Sequence, residues 1–132
     1  MSERKVRILM AKLGEGYESS IMKLARAFSE AGYEVIYTEL QDPRAIVASA
    51  IQESVDHIGV TTLPGAHLES FAAISQLLAE QDASHIRITA GGFISEEDVP
   101  RVKAMGVAEF FPKGTSYEDL IEWSKEHIKP SE

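Results

Sequence analysis

Val6-Arg7-Ile8-Leu9-Met10-Ala11-Lys12-Leu13-Gly14-Glu15-Gly16-Tyr17-Glu18-Ser19-Ser20-Ile21 is the stretch whose reading decides the fold. An apolar run long enough for one buried strand (residues 5–12) meets a turn holding two glycines. A helical pattern then starts near Ser19, with Ile21, Leu24, Ala25 and Phe28 at the i, i+3, i+4, i+7 spacing of one apolar helix face. Gly32 stops that helix. Strand, glycine turn and helix in this order make the opening unit of a parallel α/β sheet, because a helix must carry the chain back before a parallel strand can pair.

The unit repeats along the chain. Residues 33–40 read as a second strand, rich in β-branched and aromatic side chains. Asp42-Pro43 reads as a helix N-cap followed by proline at the first helical position, with Ile46, Val47, Ala50 and Ile51 on the apolar face. Residues 56–63 form the third strand, and a helix over 66–81 buries Leu68, Phe71, Ala72 and Leu78. Residues 86–90 form the fourth strand, ending at Gly91-Gly92. Ser95 with Asp98 resembles a capping box, and Pro100 predicts a tight first turn and a short helix that ends at Gly106. Residues 107–111 form the fifth strand, and Ser116 with Asp119 caps the last helix. Five strands alternating with five helices demand a mostly parallel sheet covered on both faces, a three-layer αβα sandwich. The flavodoxin-like order 2-1-3-4-5 is the expected topology. It puts a ligand crevice at the switch point between the first and third strands, lined by residues 13–20, 61–67, 91–95 and 111–115.

Composition narrows the function. The chain has 132 residues, fit for one domain over 1–132 with its core at about 5–128, and is 44% apolar and 26% charged. A net charge of -8 argues against nucleic acid or an anionic membrane as partner. With no cysteine, disulfides, thiolate metal sites and cysteine nucleophiles are excluded. The start, Met-Ser-Glu-Arg-Lys, lacks the apolar region of a signal peptide, and no apolar run reaches the roughly 18 residues of a membrane span. A cytoplasmic protein is expected, a module or small subunit rather than a self-sufficient enzyme.

The crevice loops are rich in glycine and small hydroxyl residues: Gly14, Gly16, Ser19, Ser20, Thr61, Thr62, Gly65, Gly91, Gly92, Gly114 and Thr115. Such a rim suits a large flat ligand, or a polar tail that approaches the backbone, though Gly65 and Gly91-Gly92 also serve simply as tight turns. A phospho-accepting receiver needs acids where this chain has Met10-Ala11-Lys12 and Thr61-Thr62. In the place of a flavodoxin phosphate loop this chain carries Glu15 and Glu18, whose carboxylates would repel phosphate, and Gly14-x-Gly16 lacks the third glycine of a dinucleotide fingerprint. Glu15 with Glu18 lacks the nucleophile and orienting partner of an acid–base site. His67 reads as a helix-start or rim residue, while His57, His85 and His127 are too far apart in the pattern for a metal cluster. Glu96, Glu97 and Asp98 suit a helix N-terminus.

Several stretches, in order and at matching spacing, carry a resemblance over residues 5–128. They are Arg7-Ile8-Leu9-Met10-Ala11-Lys12-Leu13-Gly14, Gly59-Val60-Thr61-Thr62-Leu63, Gly65-Ala66-His67, Ala90-Gly91-Gly92-Phe93-Ile94, Asp98-Val99-Pro100, Gly106-Val107 and Phe111-Pro112-Lys113-Gly114-Thr115. The chain resembles the cobalamin-binding domain of methylmalonyl-CoA mutase and the small subunits of related acyl-CoA mutases. The resemblance implies a module that holds cobalamin (adenosylcobalamin) beside a large barrel subunit. That subunit and the cofactor carry the radical chemistry, and the module is inactive alone. It also implies cofactor contacts at Glu15, Gly16, Tyr17, Ser20, Thr61, Leu63, Gly91, Gly92, Phe111, Gly114 and Thr115, with no catalytic side chain.

The family carries Asp-x-His-x-x-Gly after its first strand: the histidine ligates cobalt, the aspartate holds that histidine, and the glycine leaves room for the nucleotide tail. Here the motif reads Glu15-x-Tyr17-x-x-Ser20. A phenol, with an unperturbed pKa near 10, must lose a proton to match imidazole as a ligand, and Glu15 opposes that loss. Tyr17 thus occupies the cobalt-ligand position as a poor ligand. Three roles stay open to it: a loop tyrosine without function, a ring packed on the corrin face, or direct ligation. The alternative function is a relative that has left cobalamin behind and uses the same rim for regulation or protein interaction.

Overall fold

A computed structural model describes residues 5–16 and 18–130. The elements run β1 (Arg7–Leu13), α1 (Glu18–Glu30), β2 (Glu34–Tyr37), α2 (Pro43–Gln52), β3 (His57–Thr62), α3 (Glu69–Glu80), β4 (Arg87–Gly92), α4 (Val99–Ala104), β5 (Val107–Pro112) and α5 (Tyr117–His127). All four strand pairings are parallel and the sheet order is β2-β1-β3-β4-β5, as the alternation predicts.

Local chemistry sets most boundaries as expected. The Asp42 carboxylate accepts the Arg44 N–H, and Pro43 opens α2. The Ser116 hydroxyl accepts the Asp119 N–H to cap α5. Gly32, at φ +106, ends α1, and the Tyr33 N–H reaches back to the Phe28 carbonyl. Pro100 gives the six-residue α4.

Four expectations need correction. β2 stops at Tyr37, because the Leu40 N–H turns onto the Thr38 hydroxyl and Leu40 points outward. α3 begins at Glu69, after a turn at Pro64-Gly65 whose Ala66 N–H bonds the Leu63 carbonyl. Its third core residue is Ile74, with Ala72 exposed, and on α2 Ile51 is exposed as well. The Ser95 hydroxyl bonds the Asp98 carboxylate, while the Asp98 N–H goes to the Ser95 carbonyl, so the side chain caps nothing.

Period-2 alternation divides the sheet into two faces. Leu9, Ala11, Leu13, Ile58, Val60, Ile88 and Ala90 point to one side. There they pack with Ile46, Val47 and Ala50 of α2, Phe71, Ile74 and Leu78 of α3, and Val102 of α4 in one continuous core. Ile8 and Met10 point to the other side, toward Phe28 of α1, Tyr33 and Ile128. This second cluster is much smaller, and α1 and α5 cover this face of the sheet.

Candidate functional site

On that second face, β3 and β4 carry His57, Gly59 and Thr61, and Thr89 and Gly91. Gly59 pairs with Thr89, and Thr61 with Gly91. These positions lie under the gap between α1 and α5. Their small size leaves a groove of about 250 Å³. Ile21, Leu24 and Phe28 of α1 form one wall. Leu120 and Ser124 of α5, with Ile128 beyond it, form the other. The mouth opens at the C-terminal edge of the sheet, between Ser20, Phe93, Phe111, Lys113, Gly114, Thr115 and Tyr117.

Two glycines at this edge are fixed by their surroundings. Gly14, at φ +98, lies so close to the next loop that a Cβ would sit 2.5 Å from the Leu63 carbonyl oxygen. Gly92, at φ +108, would place one 2.4 Å from the Thr62 carbonyl oxygen. Neither position tolerates another residue without moving backbone. Gly59 is different: its φ is ordinary, and a Cβ would meet only Thr89 Oγ1 at 3.8 Å and Ile8 Cγ2 at 4.0 Å. Backbone geometry does not demand glycine there. A glycine inside a central strand gives up packing, and such positions mark close approach by another group.

The floor is polar at two levels. Thr61 lies near the mouth. At the closed end, His57 is 4% exposed and its Nε2 lies 2.9 Å from Thr89 Oγ1. Burial, with Arg87 nearby, pushes its pKa down to about 3, so the imidazole is neutral at pH 7. The neighbouring Thr62 faces the other way, is fully buried, and donates its hydroxyl to the Gly91 carbonyl at 2.8 Å. That bond ties β3 to β4 under the mouth.

The loop after β1 is held from two sides. Gly14 donates its N–H to Gln41 Oε1 at 2.8 Å and accepts from Gln41 Nε2 at 2.9 Å. Glu15 N–H bonds the Pro64 carbonyl. Lys12, 6% exposed at the end of β1, reaches Glu18 at 3.2 Å. The hydrogen bond to Glu18 raises the Lys12 pKa. Glu18 is lowered by its own backbone N–H and then by Lys12.

Of the residues expected to contact a cofactor, the groove brings together Ser20, Thr61, Leu63, Gly91, Gly92, Phe111, Gly114 and Thr115. Glu15 and Gly16 do not line it, because their loop is drawn toward residues 41 and 64. Tyr17 lies outside the described residues. The expected crevice is also corrected in extent: residues 64–67 are not part of its lining, and His67 is exposed near Glu69. The site instead runs down the sheet face to Ile8 and His57. Gly59, Thr89 and His57 were missed as site residues. The signal for them was the alternation itself, since His57, Gly59 and Thr61 share a face at i, i+2, i+4. Among the described residues, no three His, Cys, Asp or Glu side chains converge where a metal ion could be held. No helix among them is long and apolar enough to cross a membrane.

Comparison with known proteins places these features in context. The B12 binding domain model matches residues 6–121. The chain is 36% identical over 124 residues to a 2-hydroxyisobutanoyl-CoA mutase small subunit of Aquincola tertiaricarbonis, covering 92% of this chain and 91% of that protein. It is 31% identical to a pivalyl-CoA mutase small subunit of Xanthobacter autotrophicus, covering 90% and 81%. It is 33% identical to a methylmalonyl-CoA mutase large subunit of Streptomyces virginiae, where it covers 88% of this chain and only 16% of that protein. Among solved structures, a cobalamin-binding protein from Desulfitobacterium hafniense superposes with a TM-score of 0.77 at 16% identity, over 95% of this chain and 60% of that one. The signal receiver domain of a response regulator from Mycobacterium tuberculosis superposes at 0.71 and 14% identity, over 94% and 96%. At those identities the structures share the fold alone.

Proposed function

The chain belongs to the B12 binding domain family, and on that premise we propose that it is the cofactor-holding small subunit of an adenosylcobalamin-dependent acyl-CoA mutase, working beside a large barrel subunit. The observation that carries the reading is the groove over Gly59 and Gly91, a cradle that side chains there would fill. Its volume of about 250 Å³ falls below the roughly 300–1,000 Å³ of sites that take a whole small molecule. It suits one ring system entering between α1 and α5, with the bulk of the ligand outside. A corrin across the mouth and a nucleotide tail inside the groove meet both conditions, so the residues present fit the cofactor.

In this arrangement each part of the chain has a binding task. Gly91, Gly92, Gly114 and Thr115 let the tail pass close to backbone. Thr61 offers a hydroxyl to the base or ribose. Ile21, Leu24, Phe28 and Leu120 exclude water from the ring, and Phe93, Phe111 and Tyr117 bound the entrance. At position 17, where the resemblance puts the family's cobalt-ligating histidine, the sequence has tyrosine, so the chain would supply no histidine to cobalt there. When bound, the cofactor supplies the radical chemistry. This chain orients it and shields it.

Titration of the purified protein with hydroxocobalamin and adenosylcobalamin tests the proposal, followed by visible spectra and by cofactor retained after desalting. The expected result is retention without the spectrum of histidine-ligated cobalt. A histidine-ligated spectrum would refute the role given to the 15–20 loop. No retention of either form would favour the second reading, a regulatory or protein-interaction relative. The substitution of the family histidine by Tyr17 is the observation on that side. Replacing Glu15, Tyr17 and Ser20 by Asp, His and Gly should raise affinity and introduce the histidine-ligated spectrum.

A further inference from the structure

The closed end of the groove holds a feature that an apolar pocket for a hydrocarbon ring does not need. His57 and Thr89, on adjacent strands, hydrogen-bond to each other there, and both line the cavity. His57 lies about 13 Å from Thr61 along β3, four strand residues at roughly 3.3 Å each, and Thr89, paired with Gly59, lies two residues nearer the mouth. A base entering past Thr61 therefore meets the Thr89 hydroxyl first, with His57 behind it. Gly59 pairs with Thr89 and places no side chain over its hydroxyl.

We propose that His57 and Thr89 select, among the tails of cobalamin-like cofactors, a base with a hydrogen-bonding far edge, a purine in preference to 5,6-dimethylbenzimidazole. The inference rests on the cofactor-holding role proposed above. It follows from counting donors and acceptors. A threonine hydroxyl has one donor and two acceptor lone pairs, and a neutral imidazole has one donor and one acceptor. The His57–Thr89 bond uses one donor and one acceptor whichever way it runs. If Nε2–H donates, the Thr89 O–H is left to donate into the groove. If Thr89 donates, its lone pairs are left to accept. In both tautomers the closed end can bond a ring nitrogen or an exocyclic amine, and a purine carries both. Dimethylbenzimidazole presents two methyl groups there and leaves that capacity unused once the ring has displaced water from the groove. A buried polar group without a partner disfavours binding. The surrounding Ile8, Phe28 and Ile128 supply no alternative partner.

The test compares three probes on the purified chain by visible titration: cobalamin, its analogue with adenine as the tail base, and cobinamide, which has no base. The wild-type chain should bind the adenine analogue roughly three- to tenfold more tightly than cobalamin, the worth of one net hydrogen bond. Thr89→Val keeps the shape and removes the hydroxyl, so the preference should disappear or reverse. Thr89→Ser keeps the hydroxyl and should retain it. Urea denaturation of each variant verifies that it is folded. Cobalamin binding as tightly as the adenine analogue, or a ratio unmoved by Thr89→Val, would overturn the inference and leave the cofactor role standing. Cobinamide binding as tightly as both would remove the tail from the groove and overturn the inference by another route. Retention of none of the three would overturn the cofactor role and this inference together.

Discussion

On one face of the sheet, β3 and β4 present Ile58, Val60, Ile88 and Ala90, none more than 4% exposed, to α2, α3 and α4. On the other face, the alternate positions of the same strands are Gly59, Thr61, Thr89 and Gly91, and α1 and α5 leave a groove above them. Backbone, pairing and register are shared, so side-chain volume alone makes the difference. Where large branched residues alternate with large residues on the facing helix, the layer closes and supplies stability. Where glycine and threonine take those places, two helices rest on the flanks of the sheet and the middle is free for a ligand. One sheet thus separates its folding task from its binding task by face, one residue apart along each strand.

The largest expected break in this division is on the packed face. Phe71→Ala removes a fully buried ring beside Ile74 and Val102 and should cost about 3–5 kcal/mol, read from the urea midpoint. Much of the stability of a small domain is at stake in that one change. Gly92→Ala joins the two faces, since it forces a Cβ at φ +108 against the Thr62 carbonyl. It should cost about 2–3 kcal/mol and weaken cobalamin retention as the mouth shifts.

The third effect depends on pH. His57 has a pKa near 3 when folded and about 6.5 when unfolded. The unfolded chain therefore binds more protons between those values, and stability rises with pH through that window. The contribution is complete above about pH 6.5 and is lost progressively as pH falls toward 3. At pH 5 it should amount to about 2 kcal/mol relative to pH 7, and His57→Gln should abolish that part of the acid sensitivity. Equal pH profiles for wild type and variant would show that the imidazole is not buried at the groove floor.

The smallest stability change is expected at Gly59. Gly59→Ala meets only ordinary contacts and should move the urea midpoint by less than about 0.5 kcal/mol. Gly59→Leu sharpens the comparison. It fills the groove and should leave a folded protein that retains no cobalamin, whereas Ile58→Ala, one residue away, should lose about 2–5 kcal/mol of stability and keep the groove. Similar stability losses for Gly59→Leu and Ile58→Ala would remove the distinction between the faces.

The elements were largely legible in the residues. Asp42-Pro43, Gly32, Pro100 and Ser116 act through local hydrogen bonds and fixed backbone angles, and each does in the fold what its local chemistry dictates. Errors arose where a tertiary partner decides. Ala72 and Ile51 fit the apolar stripes of their helices, but the core takes Ile74 in place of Ala72 and closes on α2 at Ala50 without Ile51. Ser95 had the spacing of a cap, yet its hydroxyl found the Asp98 carboxylate. The site was legible at its mouth, where glycine and hydroxyl residues cluster in the loops. It was hidden at its floor, where His57 and Thr89 stand 32 residues apart and meet only through strand pairing.

The sequence by itself determined the alternation of strands and helices, the parallel sheet it requires and the family to which the chain belongs, because period, capping and motif spacing are written along the chain. Only the tertiary structure decided which sheet face stays open, how deep the groove runs and what closes it. Those depend on how far apart α1 and α5 come to rest over Gly59 and Gly91. That distance is fixed by packing among residues remote in sequence, and no local pattern encodes it.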